Sequence, residues 1–123
     1  MRIFLISPVR KITEEEHRKI MDYVSKMEGE GHEVYFPHRD TDQNDFVGNR
    51  ICRDNLEAIK ASDEVHVWWT ETSTGTLFDM GMSFALGKII KAVNEVPPTD
   101  GRSSFNNFLN WCTHIYQGEN ENE

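Results

Sequence analysis

The chain has 123 residues and a mass of 14.3 kDa, enough for one domain that buries a core without disulfides or structural metal ions. Its formal net charge of −8 argues against a nucleic-acid-binding protein, because neutralising phosphates requires clustered lysines and arginines. Cys52 and Cys112 lack metal-binding or redox spacing and fit a reducing cytoplasm. No signal peptide, membrane span or repeat is evident, so we expect a cytoplasmic protein of small-molecule chemistry, with neither a metal ion nor a cofactor.

The first strand and helix are clearly marked. Residues 2–8 form an apolar run closed by a proline, which predicts a buried parallel strand. Thr13 and Glu16 then form a capping box, which predicts the start of a helix. The apolar residues of this helix recur at helical spacing until glycines end it: Ile20, Met21, Val24 and Met27.

The loop between this strand and helix contains Ser7, Val9 and Arg10. Open α/β sheets bind their ligands at this carboxyl edge of the strands. Arg10 is therefore either a cation that binds a ligand or a solvated loop arginine.

A polar loop, residues 38–48, is predicted to follow a second strand at residues 32–37. Residues 40–45 have acidic side chains at alternate positions, as in a calcium-binding loop. Asp45, however, replaces the required glycine, and Ile51 stands where the bidentate glutamate is needed. We therefore expect a solvated loop.

A third strand is predicted for residues 64–70 and a helix for residues 76–86. The turn that connects them is rich in hydroxyls and glycine: Ser73, Thr74, Gly75 and Thr76. A helix N-terminus has N–H groups without partners and a positive dipole end, so such a turn can hold a phosphate or a sugar. Asp79 lies one helical turn beyond Thr76 and can face the same pocket. The alternative is an ordinary turn, in which Ser73 or Thr76 caps the helix and Asp79 complements the dipole.

Repeated strand-helix-strand units predict a doubly wound, Rossmann-like parallel sheet of four or five strands, in the order 2-1-3-4, with helices on both faces. The first and third strands are then neighbours, which brings Arg10 and residues 73–79 to one edge of the sheet. The helix predicted for residues 49–61 carries Asp54 and Asn55 near its middle.

The pattern changes beyond a fourth strand. Residues 97–101 form a turn-rich linker, and Ser103 or Ser104 caps a last helix with an apolar stripe: Phe105, Phe108, Leu109, Cys112 and Ile115. This stripe is expected to pack on the sheet or on a second subunit. Residues 1–116 are expected to form one domain, and residues 117–123 an acidic, disordered tail.

Residues 73–81 and 83–88 resemble the signature of the nucleoside 2-deoxyribosyltransferase superfamily. That signature is a Ser or Asp, a Gly-Thr-like turn, a catalytic Glu, a Gly and then an Ala-rich helix ending in Gly-Lys. The resemblance extends to residues 54–63 and 7–10 and is poor in the C-terminal third. It implies cleavage of a nucleoside N-glycosidic bond. In that reaction a carboxylate at the position of Asp79 stabilises or captures an oxocarbenium-like anomeric carbon.

The resemblance is greatest to the branch that hydrolyses 2'-deoxynucleoside 5'-phosphates. Ser73 stands where this branch has a phosphate-binding serine and the transferases have an acid, and Arg10 aligns with the loop that grips the nucleotide. His38 could line the base pocket and Trp69 could stack on a base, although a surface histidine and a core tryptophan are the alternatives. The resemblance thus implies a phosphate site made by two loops: Ser7, Val9, Arg10, Ser73, Thr74, Gly75 and Thr76.

Two positions depart from the family pattern. Asp79 is one methylene shorter than the expected glutamate, which holds its oxygen back by about an ångström and on general grounds costs roughly a hundredfold in rate. Asn55 stands where the family has an acid that orients or protonates the leaving base, and an amide cannot act as a general acid. Either Asp54 takes over that role or the role is weakened.

We therefore favour an N-glycosidase that cleaves the base-sugar bond of a (deoxy)nucleoside 5'-monophosphate. The alternatives are a base-exchanging deoxyribosyltransferase and a non-catalytic nucleotide-binding or sensing module. The resemblance also implies a homodimer or a higher homo-oligomer, because family members commonly complete their sites across a homodimer. Neither a nucleic acid nor a membrane is an expected partner.

Overall fold

Strands and helices alternate along the chain. The computed structural model describes residues 1–9, 12–70, 74–96 and 108–109. Its elements are, in order, β1 (Arg2–Ile6), α1 (Glu14–Gly29), β2 (Glu33–Tyr35), α2 (Pro37–Asp40), α3 (Asn49–Ala61), β3 (Glu64–Val67), α4 (Thr74–Ala85) and β4 (Ile89–Ala92). The four strands form one parallel sheet in the order β2-β1-β3-β4, which confirms the predicted doubly wound topology. In this sheet β1 and β3 are neighbours, and Ile6 pairs with Val67 at their carboxyl ends.

The sheet separates two apolar cores. β1 is apolar at four consecutive positions because it is a central strand, buried on both faces. One side, here the α3–α4 face, packs the following buried residues together: Phe4, Ile6, Ile59, Val65, Val67, Met80, Ile90 and Leu109. The other side, the α1 face, has its own buried cluster: Ile3, Leu5, Ile20, Val24, Val34, Phe36 and Trp68. Helices thus cover both faces, as predicted.

The predicted cap of α1 is present. Thr13 Oγ1 accepts a hydrogen bond of 3.1 Å from the backbone N–H of Glu16. The Glu16 carboxylate accepts a hydrogen bond of 2.9 Å from Trp68 Nε1. This contact ties the end of β3 to the first turn of α1 and places Trp68 in the core of the α1 face.

The segment predicted as a solvated loop is more ordered than expected. Pro37 begins the short helix α2, because the fixed φ of proline suits the first helical position. Asp40 Oδ2 accepts a hydrogen bond of 2.8 Å from Phe36 N. Further on, Asp45 Oδ2 accepts hydrogen bonds of 2.7 and 3.1 Å from the N–H groups of Arg50 and Ile51. Acidic side chains of this segment therefore stabilise helix N-termini.

Several other boundaries differ from prediction: β1 ends at Ile6 rather than at residue 8, and β2 is Glu33–Tyr35 rather than residues 32–37. α4 includes Thr74, two residues before the predicted start, and β3 ends at Val67 because its partner β1 ends at Ile6. Of the predicted last helix, only Phe108 and Leu109 are described. Leu109 is fully buried in the α3–α4 face, and Phe108 packs edge-to-face on Phe84 with ring centroids 5.2 Å apart.

The rest of that helix, including Phe105, Cys112 and Ile115, lies outside the described residues, as does the predicted tail at residues 117–123. No helix in the described ranges is both long and apolar enough to cross a membrane.

Candidate active site

Asp79 lies in the second turn of α4, on the side that meets α3. The residue is partly buried, and burial raises the pKa of Asp79 to about 7, while a hydrogen bond from Asn55 opposes the rise. Near neutral pH the carboxyl group is therefore divided between its charged and its neutral form. Such a group can exchange a proton or supply negative charge to a cationic transition state.

Asn55 is the partner of Asp79. It lies on α3, is only 6% exposed, and its side-chain oxygen accepts a hydrogen bond of 2.9 Å from Thr41 Oγ1. The adjacent Asp54 points to solvent and forms an ion pair with Arg50 at 3.2 Å. Of the two neighbouring candidates, the structure thus brings Asn55 to Asp79 and leaves Asp54 on the surface.

Two buried hydroxyl groups lie at the carboxyl edge of the sheet. Ser7 follows β1, and Thr70 lies three residues beyond the end of β3. Within the part of the chain that the structure describes, neither hydroxyl has a hydrogen-bond partner. Leaving a buried hydroxyl unpaired costs about 1–3 kcal/mol, which a ligand with acceptor oxygens can recover. Thr70 was not singled out from the sequence; the signal was its place in the loop that follows the strand beside β1.

The backbone of Trp69 is held in place by Asn94. Asn94 Oδ1 accepts a hydrogen bond of 2.6 Å from Trp69 N, and Asn94 Nδ2 donates one of 2.9 Å to Trp69 O. The Trp69 side chain is half-buried and packs against the α3–α4 face, the same face on which Asp79 and Asn55 meet. Asn94 was also missed from the sequence, because nothing local indicates that a residue after β4 clamps the exit of β3.

The first turn of α4 provides the predicted helix N-terminus. Thr74 and Gly75 are exposed, whereas Thr76 is buried within the fold. Val9 is partly exposed in the loop after β1. Ser73 and Arg10, the other predicted phosphate-binding residues, lie outside the described residues.

His38 belongs to a different neighbourhood. Its ring stacks on Phe36 with centroids 5.7 Å apart and lies 4.8 Å from the ring of His17 on α1. Burial and the nearby His17 lower the pKa of His38. These contacts belong to the α1 face, while Asp79 lies on the α3–α4 face, so the base-pocket role of His38 stays a prediction.

Two other features of the described residues bear on ligand binding. In the described ranges, no group of three His, Cys, Asp or Glu side chains is arranged to hold a metal ion. A cavity of about 230 Å³ opens at the opposite, amino-terminal edge of the sheet, lined by residues that include Arg2, Glu33 and Ser62.

Three solved structures are similar to this chain. A CMP N-glycosidase from Clostridium botulinum, BcmB, is 26% identical to this chain, with a TM-score of 0.57 over 75% of this chain and 70% of that one. A 2-deoxyribosyltransferase from Bacillus psychrosaccharolyticus is 23% identical, with a TM-score of 0.64 over 80% and 77% of the two chains. The corresponding enzyme of Leishmania mexicana is 20% identical, with a TM-score of 0.58 over 83% and 76%.

These three enzymes belong to the nucleoside 2-deoxyribosyltransferase superfamily, which confirms the resemblance found in the sequence. No protein-family model matches the chain, and neither does any curated protein sequence.

Proposed function

We propose that this protein is an N-glycosidase that cleaves the bond between base and sugar in a (deoxy)nucleoside 5'-monophosphate. One observation carries the proposal: the Asp79 carboxyl is partly buried on α4, is hydrogen-bonded by Asn55 and has a pKa of about 7. The similarity to a CMP N-glycosidase and to two 2-deoxyribosyltransferases supports the general class of reaction.

In the proposed reaction, the bond between C1' and the base nitrogen breaks and its electron pair leaves with the base. The Asp79 carboxylate stabilises the positive charge at C1', or captures it as an ester. Water then adds at C1', breaking the bond from C1' to the carboxylate oxygen where an ester has formed, and the proton that the water loses is taken up by the base. Asn55 donates its hydrogen bond to Asp79 and so favours the charged carboxylate, but it has no acidic proton to give to the base.

The shorter side chain of Asp79 requires the sugar of the substrate to bind closer to α4. Since aspartate lacks one methylene of glutamate, the sugar must sit about an ångström deeper for the same approach of oxygen to C1'. Met80 and Ile59 are buried in the core of the α3–α4 face, so we place the deeper seat at the carboxyl edge of the sheet.

The 5'-phosphate is proposed to bind at the loops after β1 and β3. The Ser7 hydroxyl, buried and without a partner among the described residues, can donate to a phosphate oxygen. Thr74 and Gly75 open α4, and the N–H groups of a helix N-terminus attract anions. Arg10 and Ser73 complete the proposed phosphate site.

The direct test is the release of free base, measured by chromatography after the purified protein is incubated with each canonical ribo- and deoxyribonucleoside 5'-monophosphate. Asp79→Asn keeps the shape of the side chain and removes the charge, so we expect it to abolish release. Asp54→Asn makes the same change on an exposed neighbour and should leave release unchanged. Equal release by wild type and Asp79→Asn would contradict the assignment of Asp79.

A second candidate is base exchange, which the similarity to two 2-deoxyribosyltransferases favours. Adding a different free base to the same incubation distinguishes the two reactions, because only a transferase forms the new nucleoside. Thermal stabilisation by a nucleotide without any release of base would instead indicate a non-catalytic binding module.

We also propose a homodimer, supported by the apolar side chains that α4 exposes. Leu77 and Phe78 are 44% and 54% exposed, which is unusual for adjacent large apolar residues. Light scattering during size-exclusion chromatography measures the mass directly, and a particle of monomer mass at assay concentrations would overturn this assembly.

A further inference from the structure

A series of side-chain hydrogen bonds leads from β2 to Asp79. Tyr35 Oη lies 2.6 Å from Thr41 Oγ1, Thr41 Oγ1 lies 2.9 Å from Asn55 Oδ1, and the Asn55 side chain hydrogen-bonds Asp79. Thr41 and Asn55 are 4% and 6% exposed, so water does not compete for these contacts. We call Tyr35, Thr41 and Asn55 the positioning network.

The direction of each hydrogen bond follows from the groups present. The charged Asp79 carboxylate can only accept, so Asn55 must present its NH₂ group to Asp79 and its oxygen to Thr41. Thr41 has one hydroxyl hydrogen, which it donates to Asn55 Oδ1. Its oxygen then accepts from the Tyr35 hydroxyl. Every hydrogen in the network therefore points towards Asp79, an arrangement in which each bond polarises the next.

The fold holds both Tyr35 and Thr41 of the positioning network in place. The Tyr35 ring stacks on Phe4 of β1, with centroids 5.6 Å apart and planes inclined by 11°. The backbone N–H of Thr41 donates to Pro37 O over 3.1 Å, and Gln43 Nε2 donates to Thr41 O over 3.2 Å. The short helix α2 thus determines where the Thr41 hydroxyl lies.

We propose that Thr41, supported by Tyr35, is a positioning residue for Asp79: it holds the Asn55 amide so that Nδ2 rather than Oδ1 meets the carboxylate. An amide turned by half a rotation would bring its oxygen against the carboxylate, and two negative ends repel each other. The proposal rests on the proposed function only for the statement that Asp79 is the reactive group.

Removing the Thr41 hydroxyl should release this constraint. In Thr41→Val, Asn55 Oδ1 loses its donor and the amide no longer favours one orientation. Asp79 then loses a hydrogen bond to its charged form, so its pKa rises, by about one pH unit for a bond to a charged group. This rise in the pKa of Asp79 moves the acidic limb of the pH–activity profile to higher pH. At pH 7 it lowers the charged fraction about fivefold, and activity recovers at more alkaline pH.

The test measures the titration of Asp79 in the full chain by ¹³C NMR of its carboxyl carbon, identified as the signal that Asp79→Asn removes. We expect an upward shift in Thr41→Val, a smaller shift in the same direction in Tyr35→Phe, and the wild-type midpoint in Thr41→Ser. Tyr23→Phe is the matched control, because it removes a tyrosine hydroxyl that hydrogen-bonds His66 rather than Thr41. It should leave Asp79 unchanged.

The titration needs no substrate, so it separates the two proposals. Unchanged midpoints in both Thr41→Val and Tyr35→Phe would overturn the positioning role, even if base release is found. If Thr41→Val does not fold, Tyr35→Phe alone decides. Where base release is measurable, the acidic limb of its pH profile must shift by the same amount as the NMR titration midpoint of Asp79. A uniform loss of activity at all pH values would contradict the proposal, since a purely structural defect lowers activity without moving the limb.

Discussion

The elevated pKa of Asp79 makes a quantitative prediction about stability. Burial raises this pKa from its ordinary value of 3.8 to about 7, so the folded protein holds the proton more tightly than the unfolded chain does. The folded state is therefore favoured by protonation, and this contribution is fully present below pH 3.8 and is lost as the pH rises through about 7. Above pH 8 the charged form disfavours folding by about 4 kcal/mol, at about 1.4 kcal/mol for each pH unit of the shift.

Asp79→Asn removes this ionisation. Between pH 5 and pH 8, the free energy of unfolding of the wild type should fall by about 2.5 kcal/mol relative to that of Asp79→Asn. Urea unfolding curves at half-unit pH intervals measure the difference, and taking the difference cancels the titration of the other carboxylates. Asp54→Asn is the control, because it makes the same change at an exposed carboxylate that is paired with Arg50.

A flat difference over this pH range would show that Asp79 is solvated in the folded state. The account of its burial, and of its charge at neutral pH, would then be wrong. If the wild type instead became more stable relative to Asp79→Asn as the pH rises, a cation close to Asp79 would be lowering its pKa.

Three other substitutions test the surroundings of Asp79. Ser7→Ala should raise the KM for a nucleoside 5'-monophosphate roughly tenfold and leave the KM for the nucleoside unchanged, since a hydrogen bond to a charged phosphate is worth about 1.5–3 kcal/mol. The thermal unfolding temperature should change little, because the Ser7 hydroxyl is buried without a described partner. Asn55→Asp places a second carboxyl against Asp79, so the pair should share a proton and the acidic limb of the pH profile should move to higher pH; a limb that stays in place would show that the two side chains do not interact. Asn94→Ala removes both hydrogen bonds to the Trp69 backbone and should lower stability by about 1–3 kcal/mol, with faster amide hydrogen exchange in the loop after β3.

Much of the fold could be predicted from local sequence patterns. The apolar run at β1, the Thr13 cap and the alternation of strands with helices were sufficient for the parallel sheet and its order 2-1-3-4. Local rules succeed here because periodicity of burial and helix capping depend on residues close in sequence. The same rules missed α2, since a four-residue helix has too few residues to show a period.

Only part of the candidate site could be predicted from local sequence patterns. Asp79 was singled out from its motif, and Asn55 from its departure from the expected acid, but the sequence left open whether Asp54 or Asn55 would meet Asp79. Adjacent residues on a helix point about 100° apart, so the choice depends on how α3 is rotated against α4. In the structure Asn55 faces Asp79, whereas Asp54 faces solvent and Arg50.

By itself, the sequence determined the class of fold, the elements that carry the candidate residues and the resemblance to enzymes of N-glycosidic bonds, because these depend on patterns within short segments. Only the tertiary structure decided which side chains meet. Thr41 reaches Asn55 across fourteen residues, and Asn94 reaches Trp69 across twenty-five. The raised pKa of Asp79 is likewise a property of burial between two helices. Desolvation and hydrogen-bond partnership depend on distances in space, which no local pattern in the chain contains.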